Sequence, residues 1–149
     1  MILYQHRVFR IDLRNNIHRN VYYLFGDNIA REGYGGQAKE MRDEPNAIGV
    51  ATKVSPAMYM SDDALKNNCK IMWKDLQEAF EVVMDGGTIV IPSDGLGTGL
   101  SAMPEKCPIT FKHLEGMIGW LKEVDNAPDY CKDDIFAEKE KKMKGYLGE

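Results

Sequence analysis

Cysteine is scarce in this 149-residue chain. The three present, Cys69, Cys107 and Cys131, are an odd number at wide spacings. That excludes both a disulfide framework and a C-x-x-C metal site, and packing is the use expected of all three. His6, His18 and His113 show no metal-ligand spacing either, and surface or boundary positions are expected of them. No apolar run approaches the ~18 residues of a membrane span. The N-terminal Met1-Ile2-Leu3-Tyr4-Gln5-His6-Arg7 lacks the basic start and apolar core of a secretory signal, so a reducing cytoplasm is the expected compartment. Excess positive charge is missing as well. Lys plus Arg number 19 against 23 Asp plus Glu, a net −4, and nothing advertises a nucleic-acid or membrane partner.

What is present is a globular composition. Hydrophobic residues make up 44% and charged ones 28%, which excludes a disordered or collagen-like chain. A chain of this length buries roughly 68–70% of its unfolded surface, enough for a core without metal or disulfide staples. The methionines are expected to fill that core. One domain is expected over 1–149, with its core at about 8–124.

Hydrophobic periodicity predicts the elements. Val8 to Leu13 alternates apolar and polar residues and reads as a first strand, followed by an Asn-rich turn from Arg14 to Asn20. Val21–Phe25 is a continuous apolar run, the mark of a strand buried on both faces. Ala47–Ala51 is a weaker strand, and Thr88–Ile91, bounded by Gly86-Gly87 and Pro92, is the clearest. A helix from Ser61 to about Asp85 carries Leu65, Cys69, Met72, Leu76, Ala79, Phe80 and Val83 on one stripe. A second runs from Pro108 to Val124, with Phe111, Leu114, Met117, Ile118 and Leu121 as its stripe. A short helix is expected from Gly35 or Gly36 to about Arg42. The charges from Asp125 onward, among them Asp133, Asp134, Glu138 and Lys139 to Lys142, predict a solvated and partly frayed terminal helix. Alternating strands and helices argue for an α/β sandwich with a largely parallel central sheet.

Glycine carries the functional signal. Gly26, Gly33, Gly35 and Gly36 fall in one loop, and Gly95, Gly97 and Gly99 in another, together half of the chain's fourteen. The first loop reads Gly26-Asp27-Asn28-Ile29-Ala30-Arg31-Glu32-Gly33-Tyr34-Gly35-Gly36-Gln37-Ala38. The second reads Ile91-Pro92-Ser93-Asp94-Gly95-Leu96-Gly97-Thr98-Gly99-Leu100. Each directly follows a buried strand, and in parallel α/β sheets ligands bind outside the carboxyl ends of the strands. Glycine there lets N–H groups approach and surround a phosphate. Val21–Phe25 and Thr88–Ile91 are therefore expected as neighbours or near-neighbours whose ends share one edge, so that two loops grip a diphosphate. Neither loop is a Walker A motif, and the first is not the dinucleotide fingerprint. Tight turns and helix caps are the alternative use of the same glycines.

A buried strand, a polar loop with Asn, Gly-Gly opening a helix, and a later strand running into Ile91-Pro92-Ser93-Asp94-Gly95-Leu96-Gly97 together resemble a macrodomain. The second segment is particularly similar to the divergent branch that removes ADP-ribose from glutamate. The run Arg31 to Lys53 resembles macro-like proteins of phages and bacteria. The resemblance covers roughly residues 20–124 and implies a three-layer α/β/α sandwich on a largely parallel or mixed sheet, with an ADP-ribose-type ligand, either as a small molecule or on an ADP-ribosylated protein, and no cofactor. It implies that Asn28 meets the distal ribose, that Gly35 and Gly36 lie under pyrophosphate and ribose, and that Gly95 to Gly99 form the second phosphate loop. Ser93 and Thr98 would be hydroxyl donors there. Lys53 falls where that branch carries a lysine that attacks the anomeric carbon. Where the branch places an acid after Gly-x-Gly-Leu, this sequence has Gly99, and the nearest carboxylate in the loop is Asp94.

Each of these residues also has a plainer use. Lys53 would otherwise be a surface lysine, Asp27 and Asn28 turn residues, and Asp94 a loop cap rather than a general acid or base. Tyr34, lodged between glycines, is expected to stack on a base or ribose. Asp43 and Glu44 are expected to be solvated charges. Three functions stay open on these residues: an ADP-ribosyl hydrolase, a non-catalytic reader or sequestering module, and a structural α/β domain without a nucleotide pocket.

Overall fold

The computed structural model describes residues 1–149. Five strands, β1 (Ile2–Gln5), β2 (Val21–Asn28), β3 (Ala47–Ser55), β4 (Met58–Tyr59) and β5 (Thr88–Pro92), form one sheet in the order β1-β5-β2-β3-β4. Only the β3–β4 junction is antiparallel. β2 and β5 are direct parallel neighbours, with Val21 opposite Thr88 and Tyr23 opposite Val90. Both therefore release their chain at the same edge, as their apolar runs predict.

Strand alternation divides the core into two layers. Leu24, Ile48, Val50, Ile89 and Ile91 belong to the larger cluster, beneath α3 (Leu65–Met84), α5 (Pro108–Asn126) and α6 (Lys132–Leu147). Tyr23, Phe25 and Val90 point the other way, against Leu13 of α1 (Arg10–Asn16) and Ala38 and Met41 of α2 (Ala38–Met41). This is an α/β sandwich on a mixed sheet. The α3 stripe is buried as the periodicity requires, apart from half-buried Leu65. In the same layer, burial pushes the Cys69 and Cys107 thiols up to about 11. They are packing groups, not reactive ones.

Two expected elements differ. Residues 8–13 do not form a strand, because α1 begins at Arg10. The Asp12 carboxylate accepts the Phe9 N–H at 2.8 Å and the Asp12 N–H donates to the Phe9 carbonyl at 2.9 Å, and this local closure of the first turn selects helix over strand. Val8 and Leu13 are buried while Phe9 and Ile11 face solvent. The first strand is instead β1, upstream. At the other end α6 is not a frayed, solvated tail. Phe136 packs on Phe80 at 4.9 Å and on Trp73 at 6.2 Å, and Met143 is buried. Lys132 is buried too, its Nζ donating to the Val124 carbonyl at 3.2 Å.

Glu44 is not a solvated charge, whereas Asp43 is exposed as expected. Asp43 accepts the Tyr34 hydroxyl. Glu44 Oε1 takes Arg10 Nη1 at 2.7 Å and Arg14 Nε at 3.2 Å, tying α1 to the end of α2. The Arg10 hydrogen bond, reinforced by Arg14, holds the Glu44 carboxyl below the usual range. A lowered folded pKa gives stability that is full above the unfolded value of about 4.3 and is lost as pH falls through the folded one. Glu44→Gln is therefore expected to flatten the acid limb of a stability–pH curve below about pH 4. Chemical denaturation at a series of pH values measures this, and an unchanged acid limb would count against the pairing.

Candidate functional site

The carboxyl ends of β2, β3 and β5 open onto one cleft of about 600 Å³, within the 300–1,000 Å³ common for small-molecule sites. Its floor is made by a register shift. Asp27 pairs with Ala51 but Asn28 with Lys53, so Thr52 is extra, and its hydroxyl donates to the Asp27 carbonyl at 3.2 Å. A bulge of this kind re-aims the residues that follow. Here Lys53 becomes part of the cleft wall.

Asp27 and Arg42 organise the first loop. Arg42 Nη2 reaches Asp27 Oδ1 at 2.5 Å and Nη1 reaches Oδ2 at 3.3 Å, and both residues are buried. The same guanidinium donates from Nε to the Gly33 carbonyl at 2.7 Å and from Nη2 to that of Glu32 at 3.2 Å. Gly49 on β3 makes room for this pair, since a Cβ there would stand 2.6 Å from Asp27 Oδ2. Asn28 folds the loop from within. Its Nδ2 donates to the Glu32 carbonyl and its Oδ1 accepts the Glu32 N–H. Asp27 and Asn28 line the cleft, yet their side-chain bonds serve the loop.

The glycines leave backbone donors unused. No N–H from Gly33 through Gln37, and none from Leu96 through Ser101, donates a hydrogen bond within the chain. Leu96, Gly97 and Ser101 are nonetheless buried, and buried N–H groups without a partner are rare. Both segments line the same cleft, apart from Tyr34. The second loop is closed by the Thr98 hydroxyl, which donates to the Asp94 carbonyl at 2.7 Å. Leu100 joins the loops: its Cδ1 lies 3.5 Å from where a Cβ on Gly35 or Gly36 would stand.

Of the residues singled out in the sequence, Asp27, Asn28, Gly33, Gly35, Gly36, Gln37, Lys53, Asp94 and Gly95 to Gly99 all line the cleft. Tyr34 does not stack into it. Its ring is turned outward, 59% exposed, because its hydroxyl is held by Asp43 at 2.9 Å. Ser93 is also outside, its N–H bonded to the Gln5 carbonyl that continues the β1 pairing. His6 and Arg42 join the lining unannounced. β1 lies parallel beside β5, with Gln5 opposite Pro92, so the residue after β1 leaves at the same edge as the second loop. Only pairing between residues 87 apart in the chain places it there, and no local pattern marks it.

Lys53 Nζ is engaged, donating to the Pro56 carbonyl at 2.7 Å and lying 4.9 Å from the Tyr59 ring centre. Asp94 is exposed at the rim.

The matched segment, residues 3–117, runs from β1 into α5 and contains both loops and the Asp27–Arg42 pair. The chain belongs to DUF7831, a family of unknown function. No curated protein and no solved structure matches it. The DUF7831 segment thus takes in β2 to β5 and all of β1 but Ile2, and α6 lies beyond it. No helix is long and apolar enough to cross a membrane.

Proposed function

We propose that this DUF7831 protein binds ADP-ribose or a related diphosphate nucleotide, its diphosphate held between the two glycine loops. The observation that carries the reading is that the backbone N–H groups of both loops find no acceptor within the chain while the loops line one cleft at the carboxyl ends of parallel strands. Hydrogen bonds from N–H groups to an ionised oxygen are about twice as strong as neutral ones. Arg42 is already neutralised by Asp27, so backbone donors, with Lys53 and His6 beside them, are the groups that face an anion. The resemblance to macrodomains supplies the nucleotide; the donors supply only a phosphate-sized anion site.

Binding without fast turnover fits the site better than hydrolysis. Attack on the anomeric carbon needs a free nucleophile or an activated water, with a carboxylate beside the oxocarbenium-like transition state. Lys53 is committed to a carbonyl and a ring face, and Gly99 stands where an acid is expected. Lys53→Ala is expected to weaken ADP-ribose binding by about tenfold or less, one charge-assisted contact. It has no turnover to remove. Robust multiple-turnover release of ADP-ribose from a glutamate-modified protein, abolished by Lys53→Ala with binding retained, would reverse this assignment.

The binding test uses thermal unfolding with ADP-ribose, ADP, NAD and ATP. A ligand at 100 times its dissociation constant stabilises by about 2.7 kcal/mol. Gly99→Val is the matched control. Nothing lies within 4 Å of where its Cβ would stand, and its φ is not positive. The variant should fold normally and lose the nucleotide shift. No shift with any nucleotide in the unmodified protein leaves the structural-domain reading.

A further inference from the structure

We propose that Gln37 is a specificity residue that reads a ribose hydroxyl of the bound nucleotide. The inference rests on the diphosphate reading above but concerns a different group of the ligand. Gln37 lines the cleft immediately after Gly35 and Gly36. Its Oε1 is buried and accepts no hydrogen bond. The side-chain bonds of this segment run elsewhere, from Tyr34 to Asp43 and from Arg42 to the Gly33 carbonyl. A buried acceptor without a donor is destabilising, and of the four buried side-chain atoms without a partner in the protein Gln37 Oε1 is the one on a residue that lines the cleft.

The chemistry of the amide decides what it takes. A carboxamide oxygen needs a donor, and its nitrogen needs an acceptor. Ionised phosphate oxygens only accept, so a diphosphate cannot satisfy Oε1. A ribose hydroxyl both donates and accepts, and one or a vicinal pair can meet both ends of the amide. The backbone donors of Gly35 and Gly36 serve the phosphate, and the next residue along, Gln37, serves the sugar joined to it.

The test compares the unmodified protein with Gln37→Met, similar in volume and unable to hydrogen-bond strongly, by calorimetric titration. Inorganic pyrophosphate, ADP, inosine diphosphate and ADP-ribose are the probes. ADP-ribose binding is expected to weaken about tenfold, and pyrophosphate binding to stay unchanged. ADP and inosine diphosphate then say which ribose is read. If both are unaffected it is the terminal one, and if both weaken with ADP-ribose it is the nucleoside's own. Equal weakening of all four, including pyrophosphate, overturns the proposal, as does unchanged ADP-ribose affinity. Weakening of ADP without inosine diphosphate assigns Gln37 to the base amine and overturns it too. The ligand-free variant is expected to unfold at or above the normal temperature, because an unpaired acceptor is removed, and Gln37→Leu repeats the comparison in a second shape. If none of the probes binds the unmodified protein, the diphosphate reading itself fails, which is a separate outcome.

Discussion

Replacing Arg42 with Ala is expected to remove about 3–5 kcal/mol of folding stability, the usual loss when one partner of a buried ion pair is deleted. The loss comes from Asp27, which keeps a buried carboxylate under the sheet edge with only Arg31 Nη1, at 3.6 Å, as a remaining cation. The Gly33 carbonyl loses its side-chain donor at the same time, and the Glu32 carbonyl keeps only Asn28 Nδ2. Urea denaturation measures the change. Arg42→Lys should recover only part of it, since an ammonium cannot form the two-pronged contact. Asp27→Asn combined with Arg42→Met should recover more, because no charge is left unpaired. A loss below about 1 kcal/mol for Arg42→Ala would show that solvent reaches Asp27 and that the pair does not hold the loop. Because Arg42 bonds the backbone leading into the unused donors, nucleotide affinity is expected to fall with stability.

Gly97→Val is the second large effect, and it is a folding effect. Gly97 has φ +83°, where side chains other than glycine are strained. A Cβ there would lie on the Sδ of Met103 and 3.1 Å from its Cγ, and Met103 is fully buried. Backbone strain and overpacking together cost on the order of 3 kcal/mol. Gly97→Val is thus a poor probe of binding, whereas Gly99→Val, two residues on with open space around it, isolates the cleft. If Gly97→Val unfolded at the normal denaturant concentration, Met103 would have to move freely. The two glycines look alike in sequence. Only the position of Met103, at the start of α4 (Met103–Lys106), separates them.

The candidate site was legible where its chemistry is local. Strand, then glycine, then helix is a pattern read within a dozen residues, and it marked both loops and the strands that feed them. Tyr34 shows the limit of such reading. A tyrosine between glycines has no neighbour in its own segment, so stacking on a ligand was a sound expectation; Asp43 supplied the partner from beyond α2. Residues 8–13 show another limit. Six residues that alternate apolar and polar fit a strand, but the bond between Asp12 and Phe9 N–H outweighs so short a pattern. Cys69 and Cys107 were read correctly as packing groups, because burial alone accounts for them.

The sequence by itself determined the α/β class, the amphipathic α3 and α5, and the two glycine loops. These depend on periods of two and 3.6 residues and on turn chemistry, which act between near neighbours in the chain. The tertiary structure decided that β5 sits between β1 and β2, which brings His6 to the second loop and draws Ser93 away from it. It also put Arg42 under the first loop against Asp27, and turned a charged tail into a helix that covers Trp73 and Phe80. Each of these rests on strand pairing or side-chain burial between distant segments. Such contacts form only when the whole core excludes water, and no local pattern encodes them.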